Sequence, residues 1–319
     1  IGLLYDQPFG AESLYPSNNP VFGANGEATQ VEVETHNLSA LIGYQPTENW
    51  NFYAGPVYQT VQGKVSLRGL AYGGASKLGS YDINLKEDEA YGWLAGFAYQ
   101  IPEIALKTSI TYRSEIDHKA SAREYGQSNV LAFVGSSPVY DVATDANITT
   151  PQSVNLDFQT GIMANTVAFA NVRWVNWKDF SIDLKQFGTV ADTLGALGQT
   201  PDNPNGFDIV GYTDDQWSAN VGVGRKFNDL WAGNVSVGWD SGAGNPASSL
   251  NPVDGYIGVG TGAVYHFNPK TFMIAGLHYL HFTKPDTTQP QSFITQISSF
   301  SSLEQRDAWV YHLKLAHRF

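Results

Sequence analysis

The sequence has 319 residues, with Lys+Arg 18 against Asp+Glu 30 and a formal net charge of −12 at pH 7 with histidine neutral, a balance that argues against a nucleic-acid-binding surface. Charged residues make up only 15% of it, against ~25% in soluble domains, and no apolar run reaches the ~18 residues of a membrane-crossing helix, so any spanning form has to be β. The absence of cysteine excludes disulfides, thiolate metal sites and a cysteine nucleophile, and segment 1–10 lacks the basic region of a secretory signal.

The apolar pattern has a period of two almost throughout. It opens with a strand over 1–15, IGLLYDQPFGAESLY, interrupted at Pro8, Phe9 and Gly10. Proline brings no N–H to a ladder and glycine admits unusual backbone angles, so pairing weakens there. Two outcomes stay open at this point: a gap in a sheet wall, or an ordinary strand end running into 15–28. Further along, Leu106, Ile110, Tyr112 and Ile116 oppose Lys107, Arg113, Glu115 and Asp117. With Lys119 and Arg173 these charges form a candidate inward row, read first as a ladder of cross-strand pairs in a wet lumen and second as ligand contacts. Trp217, Val221 and Val223 oppose Ser218, Asn220, Gly222 and Gly224, and Trp231, Val235, Val237 and Trp239 oppose Asn234, Ser236 and Gly238. The last segment sets Trp309, Tyr311, Leu313, Leu315, His317 and Phe319 against Val310, His312, Lys314, Ala316 and Arg318.

Alternation alone fits a sandwich as well as a barrel; connection lengths discriminate. Short turns at 45–50, 101–104, 163–166, 227–230 and 267–270 alternate with long polar segments at 15–28, 67–81, 125–150, 181–213, 241–254 and 283–306. That is the plan of a barrel with turns on one side of a membrane and loops on the other. Aromatics beside the short turns, among them Trp50, Phe52, Tyr99, Phe227, Trp231 and Phe267, have the placing of an interfacial girdle. About twelve strands result, in an all-β transmembrane antiparallel β-barrel taken as one domain over 1–319; closure is required because hydrocarbon cannot satisfy an open strand edge.

Enzyme signatures fail on geometry. His278 and His281 lie on opposite faces of a strand, as do His312 and His317, so neither pair shares a metal. The string SGAG at 241–244 opens no strand-to-helix elbow. Neither a catalytic role, a metal nor a cofactor is expected.

Several segments together resemble one family, the FadL/TodX outer-membrane transporters of long-chain fatty acids and hydrocarbons. They are TYRSE at 111–115, the stretch 155–158 followed by VRWVNWKDF at 172–180, DQWSANVG at 215–222 and DSG at 240–242, in the family's order. The resemblance implies a 14-stranded monomer with an amino-terminal hatch and a lateral opening at a kinked third strand. Segment 1–15 resembles that third strand, so the hatch and the first two strands have no counterpart; a fragment of a longer chain and a smaller, plugless barrel are both open. The kink falls on Pro8, Phe9 and Gly10. Basic residues that hold a carboxylate in the family match poorly: Leu67 with Arg68 beside it stands at one position and Asp214 at another, which favours a neutral ligand. Phe319, with Leu315, Leu313 and Tyr311 behind it, resembles the terminal signal that such barrels present to the barrel assembly machinery.

The function this implies is passive uptake of hydrophobic small molecules, fatty acids or related hydrocarbons, with sideways exit near 8–10 into the membrane. The candidate lumen or ligand-lining residues are Arg68, Lys107, Arg113, Glu115, Arg173 and Asp214. Partners are a hydrophobic ligand, or a detergent in its place, and lipid of the Gram-negative outer membrane. A general diffusion porin and an adhesive barrel that binds a partner through 181–213 are the alternatives.

Overall fold

The computed structural model describes residues 1–74, 77–180, 182–200, 204–244, 250–251, 253–283 and 307–317. Its strands are β1 (Gly2–Asp6), β2 (Gly10–Leu14), a small hairpin of β3 (Gly23–Ala24) and β4 (Glu27–Ala28), β5 (Gln30–Tyr44), β6 (Trp50–Leu67), β7 (Ser80–Ile101), β8 (Leu106–Arg113) and β9 (Ile116–Gln127). There follow β10 (Val139–Thr150), β11 (Ser153–Met163), β12 (Thr166–Val175), β13 (Ile182–Asp183), helix α1 (Lys185–Ala196), β14 (Gln216–Lys226), β15 (Trp231–Asp240), β16 (Tyr256–His266), β17 (Thr271–Phe282) and β18 (Asp307–His317). One antiparallel sheet runs β1-β5-β6-β7-β8-β11-β12-β14-β15-β16-β17-β18. This path contains the twelve expected strands, and each short turn foreseen in the sequence joins two neighbours on it.

The outer face is apolar because it meets lipid rather than a core. Val221, Val235, Val237, Ile257, Val259, Tyr311, Leu313 and Leu315 are all exposed, and in a soluble sheet this surface would be prohibitively apolar. Rings border the band at both ends. Trp50 packs on Tyr99 at 4.7 Å and Trp231 on Tyr265 at 4.8 Å beside the short turns, while Trp93–Tyr112 and Tyr279–Trp309, both at 5.1 Å, lie toward the long loops. From Trp231 to Trp239 is about 26 Å of strand at ~3.3 Å per residue, close to the ~25 Å apolar band of outer-membrane barrels.

The buried hydrophobic core lies at the long-loop end, where segments expected to be loops are folded. Segment 125–150 is largely the outer part of the β9–β10 hairpin, which leans on the start of β7 through pairs Ser80↔Gln127 to Leu85↔Ala122. Segment 181–213 contains α1, whose Phe187, Val190, Ala191 and Leu194 are buried against Leu67, Tyr81, Ala120, Leu131 and Tyr140. Glu124, fully buried, anchors this helix. Its carboxylate accepts the Gln186 and Phe187 N–H groups at 3.0 to 3.1 Å and the hydroxyls of Tyr81 and Thr144 at 2.8 and 2.9 Å. These backbone N–H groups belong to the first turn of α1 and have no intrahelical acceptor. Burial and the Glu124 charge push the Tyr81 hydroxyl up, so it stays a donor.

One side-chain assignment changes with the backbone. β8 ends at Arg113 and β9 starts at Ile116, and the two intervening residues reverse the alternation. Arg113 points inward, but beyond the break Ile116, His118, Ala120, Ala122 and Glu124 are the buried set, while Glu115, Asp117 and Lys119 are exposed on the outside of the hairpin. The expected inward row therefore stops at Arg113. Phe319 and Arg318 lie outside the described residues, as does most of 283–306; Tyr311, Leu313 and Leu315 are on the lipid face as the alternation requires.

His118, on β9 at the base of the hairpin, is buried. Its ring nitrogens contact Asp88 at 3.1 Å and Gln59 at 2.9 Å, and Gln59 in turn meets Asn37 at 2.7 Å and Thr150 at 2.7 Å.

Candidate functional site

The first strand is broken, and the register shows how. Asp6 pairs with Asn37 and Gly10 with Glu34, so three residues, Gln7, Pro8 and Phe9, stand opposite two, Thr35 and His36. One extra residue is a bulge, and it shifts alternation by one: Asp6 faces inward before it, Ala11 after it. Pro8 has no N–H to contribute. Phe9 is held instead by a side chain, since Thr35 Oγ1 accepts its N–H at 3.2 Å and donates to its carbonyl at 2.5 Å.

Inside the break lies an apolar cavity of about 120 Å³, walled by Val33, Val61, Leu85, Ile148, Ile209 and Leu250 among others. Phe9 and Trp177 also line it, edge to face at 5.4 Å. Trp177 is oriented by its Nε1–H, which donates to Gln216 at 2.8 Å, and Gln216 donates to Asp240 at 2.9 Å. Phe180 and Tyr212 complete the aromatic side, with ring centroids 5.3 and 4.9 Å from Trp177. Helix α1 contributes to the roof through Leu184, the residue before its first turn.

Toward the short turns the inner face changes character. The Arg173 guanidinium lies 6.0 Å from the Phe9 ring centroid, and Arg113 Nη2 donates to Asp6 at 3.0 Å across the interior. Two residues further on, cross-strand neighbours Ser109, Asp157, Asn171, Asn220, Gly238 and Gly258 form a polar belt, in which Asn171 donates to Asp157 at 2.7 Å. Beyond it inward rings cover glycines: Phe169 over Gly222, His278 over Gly260 and His312 over Gly276, where the ring leaves no room for a Cβ. His278 and His312 are 5.4 Å apart. At the short-turn end a vestibule of about 880 Å³ opens between 102–105, 161–169 and 224–226.

The whole chain, residues 1–319, matches the family described as outer membrane protein transport protein (OMPP1/FadL/TodX). The chain belongs to this family. Its fold agrees with that of a Pseudomonas aeruginosa FadL homologue, at 16% identity and TM-score 0.68 over 99% of this chain and 74% of that one. The Pseudomonas putida toluene transporter TodX is similar at 13% identity and TM-score 0.57, covering 87% and 72%. The CymD monoaromatic hydrocarbon channel is similar at 12% and 0.55, covering 88% and 75%. No curated protein sequence matches. As a FadL/TodX family member the chain is a Gram-negative outer-membrane β-barrel, and the long-loop end is the extracellular one.

In this FadL/TodX chain the candidate residues fall apart into groups. Pro8, Phe9 and Gly10 form the break and its margin. Arg113 and Arg173 converge beneath it. Arg68 is buried elsewhere and occupied: it donates to Glu27 at 2.6 Å, to Asp82 at 2.8 and 3.0 Å, and to the carbonyls of Leu67 and Tyr81. Lys107 is exposed near the short turns, Glu115 is outside, and Asp214 is an exposed loop residue bonded to Thr213. Asp6, Thr35 and Trp177 were not singled out from sequence; Trp177 lay within the matched stretch 172–180, whereas Asp6 and Thr35 carried no local signal. Thr35→Val removes both bonds to the Phe9 backbone, an unsatisfied-group cost of ~1–3 kcal/mol. Amide exchange at Phe9 should speed up at least about tenfold while exchange at Tyr5 stays as it was.

Proposed function

We propose that this protein is a passive channel for small hydrophobic compounds, which it receives in the apolar cavity under the extracellular cap and releases sideways at Gln7–Phe9 into the outer membrane. The observation that carries the reading is the juxtaposition of cavity, break and belt. An apolar solute in the cavity has the break beside it and a belt of Ser109, Asp157, Asn171 and Asn220 beneath it. Moving down requires desolvating those polar groups or staying in water. Moving sideways exchanges one apolar surrounding for another, after an entry step that gains ~25 cal/mol per Å² of apolar area.

Size narrows the solute. A cavity of about 120 Å³ is of the order of the ~150 Å³ that holds benzene, so single-ring compounds suit it better than a long acyl chain. The family relatives named for toluene and monoaromatic hydrocarbons support the same class. In this reading the chain acts as a monomer, performs no catalysis, and has the solute and outer-membrane lipid as its partners. A water-filled diffusion path is the second reading, favoured by the vestibule at the short-turn end.

Deleting Pro8 tests the choice. Two residues would then face Thr35 and His36, and β1 and β2 would share one register on β5. Uptake of toluene into vesicles carrying this deletion should drop at least about tenfold, with toluene binding retained. Unchanged toluene uptake would sink the sideways route, and sugar-driven swelling of vesicles with the intact protein would promote the diffusion path.

A further inference from the structure

Among the described residues, five buried side-chain polar atoms lack a hydrogen-bond partner: Asp6 Oδ1, Ser39 Oγ, Arg113 Nη1, Ser153 Oγ and Arg173 Nε. They belong to one region of the inner wall. Asp6 is the last residue before the break, and its other oxygen takes the Arg113 Nη2 bond. Ser153 is the cross-strand partner of Arg113. Arg173 lies under Phe9 and within electrostatic reach of both Arg113 and Asp6. Ser39 is the next inward residue on β5 after Asn37, the partner of Asp6. Native interiors leave few such atoms unpaired, and here donors and an acceptor with spare capacity are grouped.

We propose that this collar, just past Phe9, is a binding station for a hydroxyl group, and that the channel takes small aromatic alcohols or phenols in addition to bare hydrocarbons. The inference rests on the hydrophobic-solute reading above. The unpaired set contains guanidinium donors and a carboxylate acceptor together, and a hydroxyl offers one donor and two acceptor positions. Its proton goes to Asp6 Oδ1 and its oxygen, with two acceptor positions, accepts from both Arg113 Nη1 and Arg173 Nε, while the ring remains against Phe9 and Trp177. A ligand carboxylate has acceptors only; it would answer both arginines but face the Asp6 oxygen. A hydrocarbon satisfies none of the five. Ordered water has the chemistry of a hydroxyl and is the competing occupant.

The experiment is a matched series of toluene, p-cresol and p-toluate, titrated at pH 7 into the purified full chain and into Asp6→Asn and Arg173→Met, with toluene the reference within each protein. The p-cresol-to-toluene affinity ratio should fall about tenfold in both variants, the scale of one hydrogen bond to a charged group. The p-toluate affinity should rise in D6N and fall in R173M. Ratios that are the same in all three proteins overturn the station, with water as its occupant, and leave the hydrophobic channel standing. Absence of saturable toluene binding to the intact chain removes the channel reading instead. If D6N does not fold, R173M alone decides, and a p-cresol-soaked crystal with water at Asp6 and Arg173 also overturns the proposal.

Discussion

A backbone that crosses hydrocarbon has to satisfy every N–H and carbonyl within its own sheet, and the pairing of the first strand with β5 is interrupted at Gln7–Phe9. There three residues face two, one of them a proline. The mismatch sets the rest. It reverses which side chains of the first strand face inward, turns Phe9 onto Trp177, leaves Asp6 to be met by Arg113 from β8, and transfers the Phe9 backbone to the hydroxyl of Thr35. A continuous strand would offer neither the gap nor the ring that separates the cavity from the charges below.

Around this break the interior is divided by polarity. Above it, extracellular segments fold into a small soluble-like core around α1, with Glu124 holding the helix start. Below it the wall presents hydrogen-bonded polar side chains and then glycines roofed by inward rings. The arrangement inverts a soluble protein: the largest apolar surface is outside, facing lipid, and the packed core is confined to the cap. In the proposed route a solute would meet low polarity first in the cap cavity and next in the membrane, with the break between them.

Much of this was legible in the sequence, because the decisive signals are local. Period-two alternation, turn lengths and the girdle aromatics gave the strands and their connections, and Pro8 with Gly10 marked the break. Other features were not legible because they depend on distant partners. The reversal at Ser114–Glu115 arises where the β9–β10 hairpin leaves the wall for β7, so Glu115, Asp117 and Lys119 continued the pattern on paper but not in space. Arg68 matches a ligand position in sequence, but Glu27 and Asp82, separated from it along the chain, take its donors. α1 was obscured by a glycine- and aspartate-rich surrounding, since its stability comes from burial and from Glu124 rather than from strong end signals of its own.

On the proposed route apolar solutes occupy the cap and the break but not the lumen beneath. Anomalous scattering from crystals of the full chain soaked with an iodinated toluene measures this directly. Iodine density is expected where Phe9, Trp177, Val61 and Leu85 bound the cavity, and in the gap beside Gln7–Phe9. A file of iodine sites running past Asp157 and Asn171 to the short-turn vestibule would contradict it.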